Sequence, residues 1–123
     1  MKQHLLAEQL QEVNYEKRIV LLSLVLGLEK GYLSEEYEKG QKDELTLLRG
    51  YAYKVNVGEL LELVEVYAGK FPVPTIKGDT YSISATFKDN DGNEVVTDSD
   101  FQTSYIDALY EIVKKLLNKN VIV

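Results

Sequence analysis

The chain has 123 residues, a formal net charge of −6 and no cysteine. That length suits one domain with its own apolar core, and the lack of cysteine excludes disulfides, thiolate nucleophiles and cysteine-ligated metal sites. Lys and Arg are scattered along the chain, so nucleic acid is not expected as a partner, because phosphate binding needs a clustered basic face.

The N-terminal segment predicts a helix rather than a targeting sequence. Residues 3–29 place apolar side chains at helical spacing, and Asn14 marks a point where this helix could divide in two. Glu8 and Glu12 interrupt the apolar run that a signal peptide would need. The most apolar stretch, Ile19–Leu28, is far shorter than the about 20 residues that cross a bilayer. We therefore expect no membrane association and a cytoplasmic location, which the lack of cysteine also favours.

Residues Ile19–Leu28 are apolar on nearly every face of the predicted helix. Such a helix must be covered on all sides, by its own domain or by another chain. Few elements near the N-terminus are available to surround it, and a large bare apolar patch is unusual on a monomer. The sequence thus predicts a homodimer whose interface includes Leu21 and Val25.

The next segment predicts a second helix. Gly31 is expected to end the first helix, and Ser34 to cap a helix that runs through Gly40 to about Leu48. The segment LEKGYLSEEYEKGQKDEL has a glycine, an aliphatic residue, a serine and acidic residues ahead of an aromatic residue. In this pattern it resembles the short helical-hairpin module called SHOCT. The resemblance implies a pair of helices and no particular function.

The middle of the chain predicts a strand, a helix and a linker. Residues 51–57, YAYKVNV, alternate with the period of a strand, although a continuing helix also fits. ELLELVEVYA then predicts a third helix that reaches Ala68 and is stopped by Gly69. Residues 70–80 contain two closely spaced prolines and are predicted to form an extended linker.

The C-terminal third predicts a β-hairpin followed by a helix. Residues 81–87 alternate apolar and polar side chains, 89–93 have the composition of a tight turn, and 94–97 form the return strand. Residues 104–118 open with a variant of the capping box and carry an apolar stripe, which predicts a helix. Residues 121–123 could add a third, edge strand to the sheet.

Residues suited to catalysis or metal binding are few. His4 is the only histidine and lies near a terminus, so it is interpreted as a solvated end residue. Asp89, Asp91 and Asn93 have the first spacing of an EF-hand loop, but the glycine comes fourth rather than sixth. We expect a hairpin turn there, with at most a weak cation site.

Two further residue patterns have an ordinary and a functional interpretation. Three glutamates, at positions 59, 62 and 65, share one helix face and are interpreted as solvated, although paired carboxylates can carry acid–base chemistry. Tyr51, Tyr53 and Tyr67 could form one binding surface, because tyrosine joins a large apolar area to a hydrogen-bonding tip. The alternative interpretation is that these tyrosines are half-buried residues of a strand and a helix.

These patterns predict an α+β fold in one domain over residues 1–123, mainly helical over 3–69, with a hairpin and a helix over 81–123. For function, they predict a non-enzymatic protein-binding or accessory protein without a cofactor. An adaptor or inhibitor of the kind that phages and other mobile genetic elements encode would fit. A structural homo-oligomer and a small carboxylate-dependent enzyme are the alternatives.

Overall fold

The computed structural model describes residues 2–39, 44–68, 72–89 and 91–122. Within them, helices and strands are arranged as an α+β fold, and the strands form one antiparallel sheet in the order β1-β2-β3. None of these helices is long and apolar enough to cross a membrane. In chain order the elements are α1 (Ala7–Leu10), α2 (Tyr15–Leu26), α3 (Lys30–Lys39), α4 (Glu44–Ala52), α5 (Val57–Ala68), β1 (Val73–Lys77), β2 (Thr80–Lys88), β3 (Glu94–Asp98) and α6 (Tyr105–Asn118).

The predicted first helix divides at Asn14. The Asn14 Oδ1 accepts a hydrogen bond from the Lys17 N–H at 2.9 Å and so caps the start of α2. Gly27, with φ of 68°, ends α2 in the left-handed conformation that glycine adopts without steric cost. The prediction that Gly31 ends this helix is wrong, because Gly31 lies inside α3.

The predicted second helix is two helices, α3 and α4, and Gly40 lies outside the described residues. Ser34 is not a cap, because α3 already begins at Lys30. The strand predicted over residues 51–57 is also wrong, since this segment completes α4, turns and begins α5. The reason is the spacing of the buried side chains. Leu48 and Ala52 are both buried and lie four residues apart, which is the period of a helix face.

The predicted third helix is confirmed as α5, which begins at Val57. The Asn56 Oδ1 accepts a hydrogen bond from the Glu59 N–H at 2.9 Å and caps this helix. Gly69, which was expected to stop the helix, lies outside the described residues.

The linker predicted over residues 70–80 instead contains the edge strand β1. Pro74 of β1 lies opposite Ile83 of β2. Both main-chain groups of Ile83 bond to Ser99, on the side of β2 away from β1. The Ile83 N–H donates to the Ser99 Oγ, and the Ile83 carbonyl accepts from the Ser99 N–H, each at 2.8 Å. The missing N–H of Pro74 therefore leaves no acceptor unpaired in β2. A proline is tolerated at such an edge position, which is why the linker prediction fails for residues 73–77.

The predicted hairpin is confirmed as β2 and β3. Ile83, Ala85 and Phe87 are buried, while the residues between them in β2 are partly exposed. The buried face of the sheet packs against α5 and α6. This alternation is the half-buried pattern that the sequence predicted.

Helix α6 supplies much of the core, and the predicted helix over residues 104–118 is confirmed. Residues 121–122 do not form the predicted edge strand. The N–H groups of Val121 and Ile122 donate to the Leu116 carbonyl at 3.0 and 3.2 Å, so this end of the chain folds back on α6, and Val123 lies outside the described residues. The buried residues of α6 are Ile106, Ala108, Leu109, Tyr110, Ile112, Val113, Leu116 and Leu117.

Candidate functional site

Helix α2 is covered mainly by its own chain, through packing against α3, α5 and α6. Leu21 and Leu22 have no exposed surface. Leu21, which was predicted at an oligomer interface, therefore lies in the core and is not available at the surface. Val25, predicted at the same interface, is only partly buried, and the neighbouring Leu24 is 42% exposed. Apart from Tyr15 at its start, the exposed apolar surface of α2 thus lies in its C-terminal half.

A groove of about 190 Å³ lies between this half of α2 and helix α5. Leu24 and Val25 line it from α2, and Leu63, Val66 and Tyr67 line it from α5. Val66 is 70% exposed. Covering apolar surface returns roughly 25 cal/mol per Å², so this α2–α5 groove favours contact with another apolar surface.

Two residues of the predicted glutamate row border the same groove. Glu59 and Glu62 lie on the face of α5 that also carries Leu63 and Val66, at helical spacings of three, four and seven residues from Glu59. Glu65 is partly buried and is not part of this lining. Within the described part of the chain, neither the Glu59 nor the Glu62 carboxylate forms an ion pair. The groove therefore combines an apolar wall with two unpaired negative charges.

The three tyrosines predicted as one binding surface have different surroundings. Tyr51 lies near Glu36 and Tyr32 of α3, and its pKa is raised by burial, then by the Glu36 charge and by Tyr32. Tyr53 is exposed in the turn after α4. Tyr67 lines the α2–α5 groove. Of the three, Tyr67 is the one that lies beside the other predicted interface residue, Val25.

The acidic hairpin uses its first carboxylate to form the turn. The Asp89 Oδ1 accepts hydrogen bonds from the N–H groups of Asp91 and Asn93 at 3.0 and 2.9 Å. The Asp91 and Asn93 side chains are exposed. Among the residues that the structure describes, no group of three or more His, Asp or Glu side chains could hold a metal ion. The turn alone accounts for the Asp and Asn residues of this segment.

A larger groove, of about 680 Å³, lies where the N-terminal segment meets the starts of α5 and α6. Two of its polar side chains are bonded to the protein itself: the Lys2 Nζ binds Asp107 at 2.7 Å, and Asn56 caps α5. The rings of Tyr81 and Tyr105 meet edge to face, 6.0 Å between centroids, and burial raises the pKa of Tyr105. Lys2 and Asn56 are thus already paired, whereas the buried Ser104 Oγ at the same groove has no hydrogen-bond partner among the described residues.

His4 lies on the N-terminal segment beside this larger groove. It is exposed, and its Nδ1 lies 2.9 Å from the Leu5 carbonyl oxygen. The Leu5 N–H donates to the Val55 carbonyl at 2.9 Å, and the backbone of His4 forms a bridge to Asn56. The segment is therefore fixed along the start of α5 by main-chain hydrogen bonds.

Arg18 is a buried cation that the sequence analysis missed. Its Nε donates to the Leu10 carbonyl at 2.9 Å, a terminal nitrogen donates to the Val13 carbonyl at 3.0 Å, and the other terminal nitrogen contacts the Glu44 carboxylate. The guanidinium thus connects α1, α2 and α4, because its planar donors can serve several acceptors at once. The sequence feature that could have indicated this role is the position of Arg18 directly before the most apolar segment, Ile19–Leu28.

Leu24, Leu63 and Val66 are the groove residues that the sequence analysis did not single out. The signal for Val66 was an aliphatic residue on the same helix face as Glu59 and Glu62.

Comparison of the chain with protein-family models, with curated proteins and with solved structures found no match. A functional proposal therefore has to rest on features of the structure itself, such as the apolar lining and the two glutamates of the α2–α5 groove.

Proposed function

We propose that the chain is a non-enzymatic protein-binding protein, an adaptor or inhibitor, which contacts its partner through the α2–α5 groove. The observation that supports this proposal is the exposure of Leu24 and Val66, at 42% and 70%, on the same groove. Protein interfaces are enriched in aromatic side chains and have apolar centres, and Tyr67 extends the apolar wall with an aromatic ring.

The surroundings of the glutamates support binding over acid–base catalysis. Two carboxylates that share acid and base roles need environments that push their pKa values apart, usually by burial of one of them. Glu62 is exposed and Glu59 is only partly buried, and both lie at the border of an open apolar groove. Such a border fits the rim of an interface, where charged groups orient a partner.

A homodimer through the same groove is the second candidate. It is favoured by Leu24 and Val25, the part of α2 that its own chain leaves accessible. A two-fold contact would place the same patch of both copies together. It would thus place four carboxylates, Glu59 and Glu62 of each copy, at one interface with no Lys or Arg of the described lining to pair them, which costs free energy. We therefore favour a different protein over a second copy of this chain as the partner.

The test is affinity capture from the source cell with three tagged chains: the wild type, Leu24→Ser/Val66→Ser, and the control Val73→Ser/Val96→Ser. The control removes two valines that are 62% and 60% exposed on the sheet, so both double variants lose similar apolar surface. We expect the wild type and the control to retain the same protein partner, and the groove variant to lose it. Thermal melts establish that all three chains are folded.

Two outcomes would contradict the proposal. Equal capture by the groove variant would show that Leu24 and Val66 are not needed for binding. Loss of the partner from the control alone would move the binding surface to the sheet, where Val73 and Val96 lie on the strands that flank β2.

A further inference from the structure

We infer that the partner presents a basic amphipathic helix to the α2–α5 groove, an inference that rests on the protein-binding function proposed above. The groove is bordered by two unpaired carboxylates at one end of its α5 wall and by exposed aliphatic side chains at the other. Each of these two features restricts the chemistry of the occupant.

The walls of the groove favour a helical occupant. Both walls are α-helices, which present side chains along their sides and leave main-chain groups without intrahelical partners only in their terminal turns. The groove therefore offers no strand edge along which an extended main chain could pair. An extended peptide would leave its own N–H and C=O groups unpaired against this apolar wall, whereas a helix pairs them internally. Helix-in-groove binding is the recognition mode that meets this condition.

The charges of the groove favour a basic occupant. Glu59 and Glu62 line it, and among the described residues no Lys or Arg lines it and neither carboxylate has an ion-pair partner. Val66 follows Glu59 by seven residues, which is about 10 Å along α5 at the usual rise of a helix. The matching helix thus carries apolar side chains near Val66 and Lys or Arg side chains about two turns away.

The same charges disfavour a second copy of this chain. The chain as a whole carries a net charge of −6, and a two-fold contact through the groove would add a second pair of carboxylates to the interface without a Lys or Arg of the described lining to pair them. A basic helix instead neutralises Glu59 and Glu62 as it covers Leu24 and Val66.

The inference is tested by fluorescence anisotropy with two synthetic probes. One is a labelled amphipathic helix built from Leu and Lys, and the other is its Leu and Glu counterpart. Each is titrated with the wild type, with Glu59→Gln/Glu62→Gln, and with the control Glu94→Gln/Asp98→Asn. The control changes the net charge of the chain equally but removes exposed carboxylates of β3.

We expect the Leu/Lys probe to bind the wild type, and the groove variant to weaken its Kd about five- to tenfold, the effect of losing two surface ion pairs. The control should weaken the Kd less than about twofold, since its charges lie outside the groove and are screened by salt. The Leu/Glu probe should bind far more weakly. Val66→Ser should also weaken binding of the Leu/Lys probe.

Three outcomes would overturn the inference. An equal loss in both double variants would show attraction to net charge alone, and equal binding of both probes would show that the glutamates select nothing. Self-association that excludes the Leu/Lys probe would make the second copy the occupant. A captured partner that needs Leu24 and Val66 but not Glu59 and Glu62 would leave the protein-binding function standing and refute only the basic helix.

Discussion

The Ser104 hydroxyl is buried at the start of α6, and its Oγ has no hydrogen-bond partner in the structure. The sequence predicted that this residue caps the helix, but no side-chain cap bond forms. An unpaired buried hydroxyl costs free energy in the folded state, so removing it should cost nothing further.

We therefore expect Ser104→Ala to leave the free energy of unfolding unchanged or to raise it by up to about 1 kcal/mol. Asn56→Ala is the matched control, because the Asn56 side chain does cap α5. Its loss should lower the free energy of unfolding by about 1 kcal/mol. Urea unfolding measures both. A Ser104→Ala variant as unstable as Asn56→Ala would mean that Ser104 caps α6 after all.

At the scale of the element, α6 and the β2–β3 hairpin could be predicted from the sequence. Their apolar residues recur at the spacing of a helix in α6 and of a strand in the hairpin. The segment 51–57 could not, since its alternating pattern also fits a helix and the packing of Leu48 and Ala52 decides the outcome. Strand β1 was missed for a related reason. Whether a proline is tolerated in a strand depends on which edge of the sheet it occupies, and that is set by pairing with β2.

Tyr110 connects α6 to the N-terminal segment. It is buried, and its hydroxyl donates to the Gln9 carbonyl at 2.7 Å. Burial, and then the Glu12 carboxylate, raise the pKa of Tyr110 well above its ordinary value of about 10, while Arg18 lowers it slightly. The unfolded chain therefore loses this proton at lower pH than the folded chain does. The contribution of Tyr110 to stability is complete below about pH 10 and falls as pH rises beyond it.

We expect Tyr110→Phe to lower the free energy of unfolding by about 1 kcal/mol at pH 7, through loss of the hydrogen bond. From about pH 10 upward its stability should fall less steeply than that of the wild type. Urea unfolding at pH 7 and at a series of pH values from about 10 upward measures both effects, and Tyr53→Phe, in an exposed turn, serves as the control. Parallel pH profiles for the wild type and Tyr110→Phe would refute the assignment of the alkaline effect to Tyr110.

At the scale of the whole molecule, the groove joins residues that the sequence selected for separate reasons. Val25 was expected at a dimer interface and Tyr67 in a tyrosine patch, and both line the α2–α5 groove. Their meeting depends on how α2 packs against α5, which no local pattern encodes. Leu21 is buried rather than exposed for a related reason, because α2 packs against α5 and α6 as well as against the adjacent α3.

The oligomeric state follows from how completely the chain covers α2. The homodimer was predicted on the premise that its own domain leaves one side of α2 bare, yet Ile19, Leu21 and Leu22 are buried. What remains is a groove of about 190 Å³ bordered by Glu59 and Glu62. The exposed aliphatic residues of its lining are Leu24 and Val66, and a second copy would bring no Lys or Arg of the described lining to pair with the glutamates.

We therefore expect the isolated protein to be a monomer of 14.0 kDa in light scattering, at concentrations up to about 100 µM, where weak self-association would become visible. Raising the salt concentration, which screens the repulsion between Glu59 and Glu62 of two copies, should leave the mass unchanged. If the wild type were instead a dimer, Leu24→Ser/Val66→Ser would identify its interface. A dimer that this variant dissociates would place a second copy in the groove and remove the grounds for a foreign partner there.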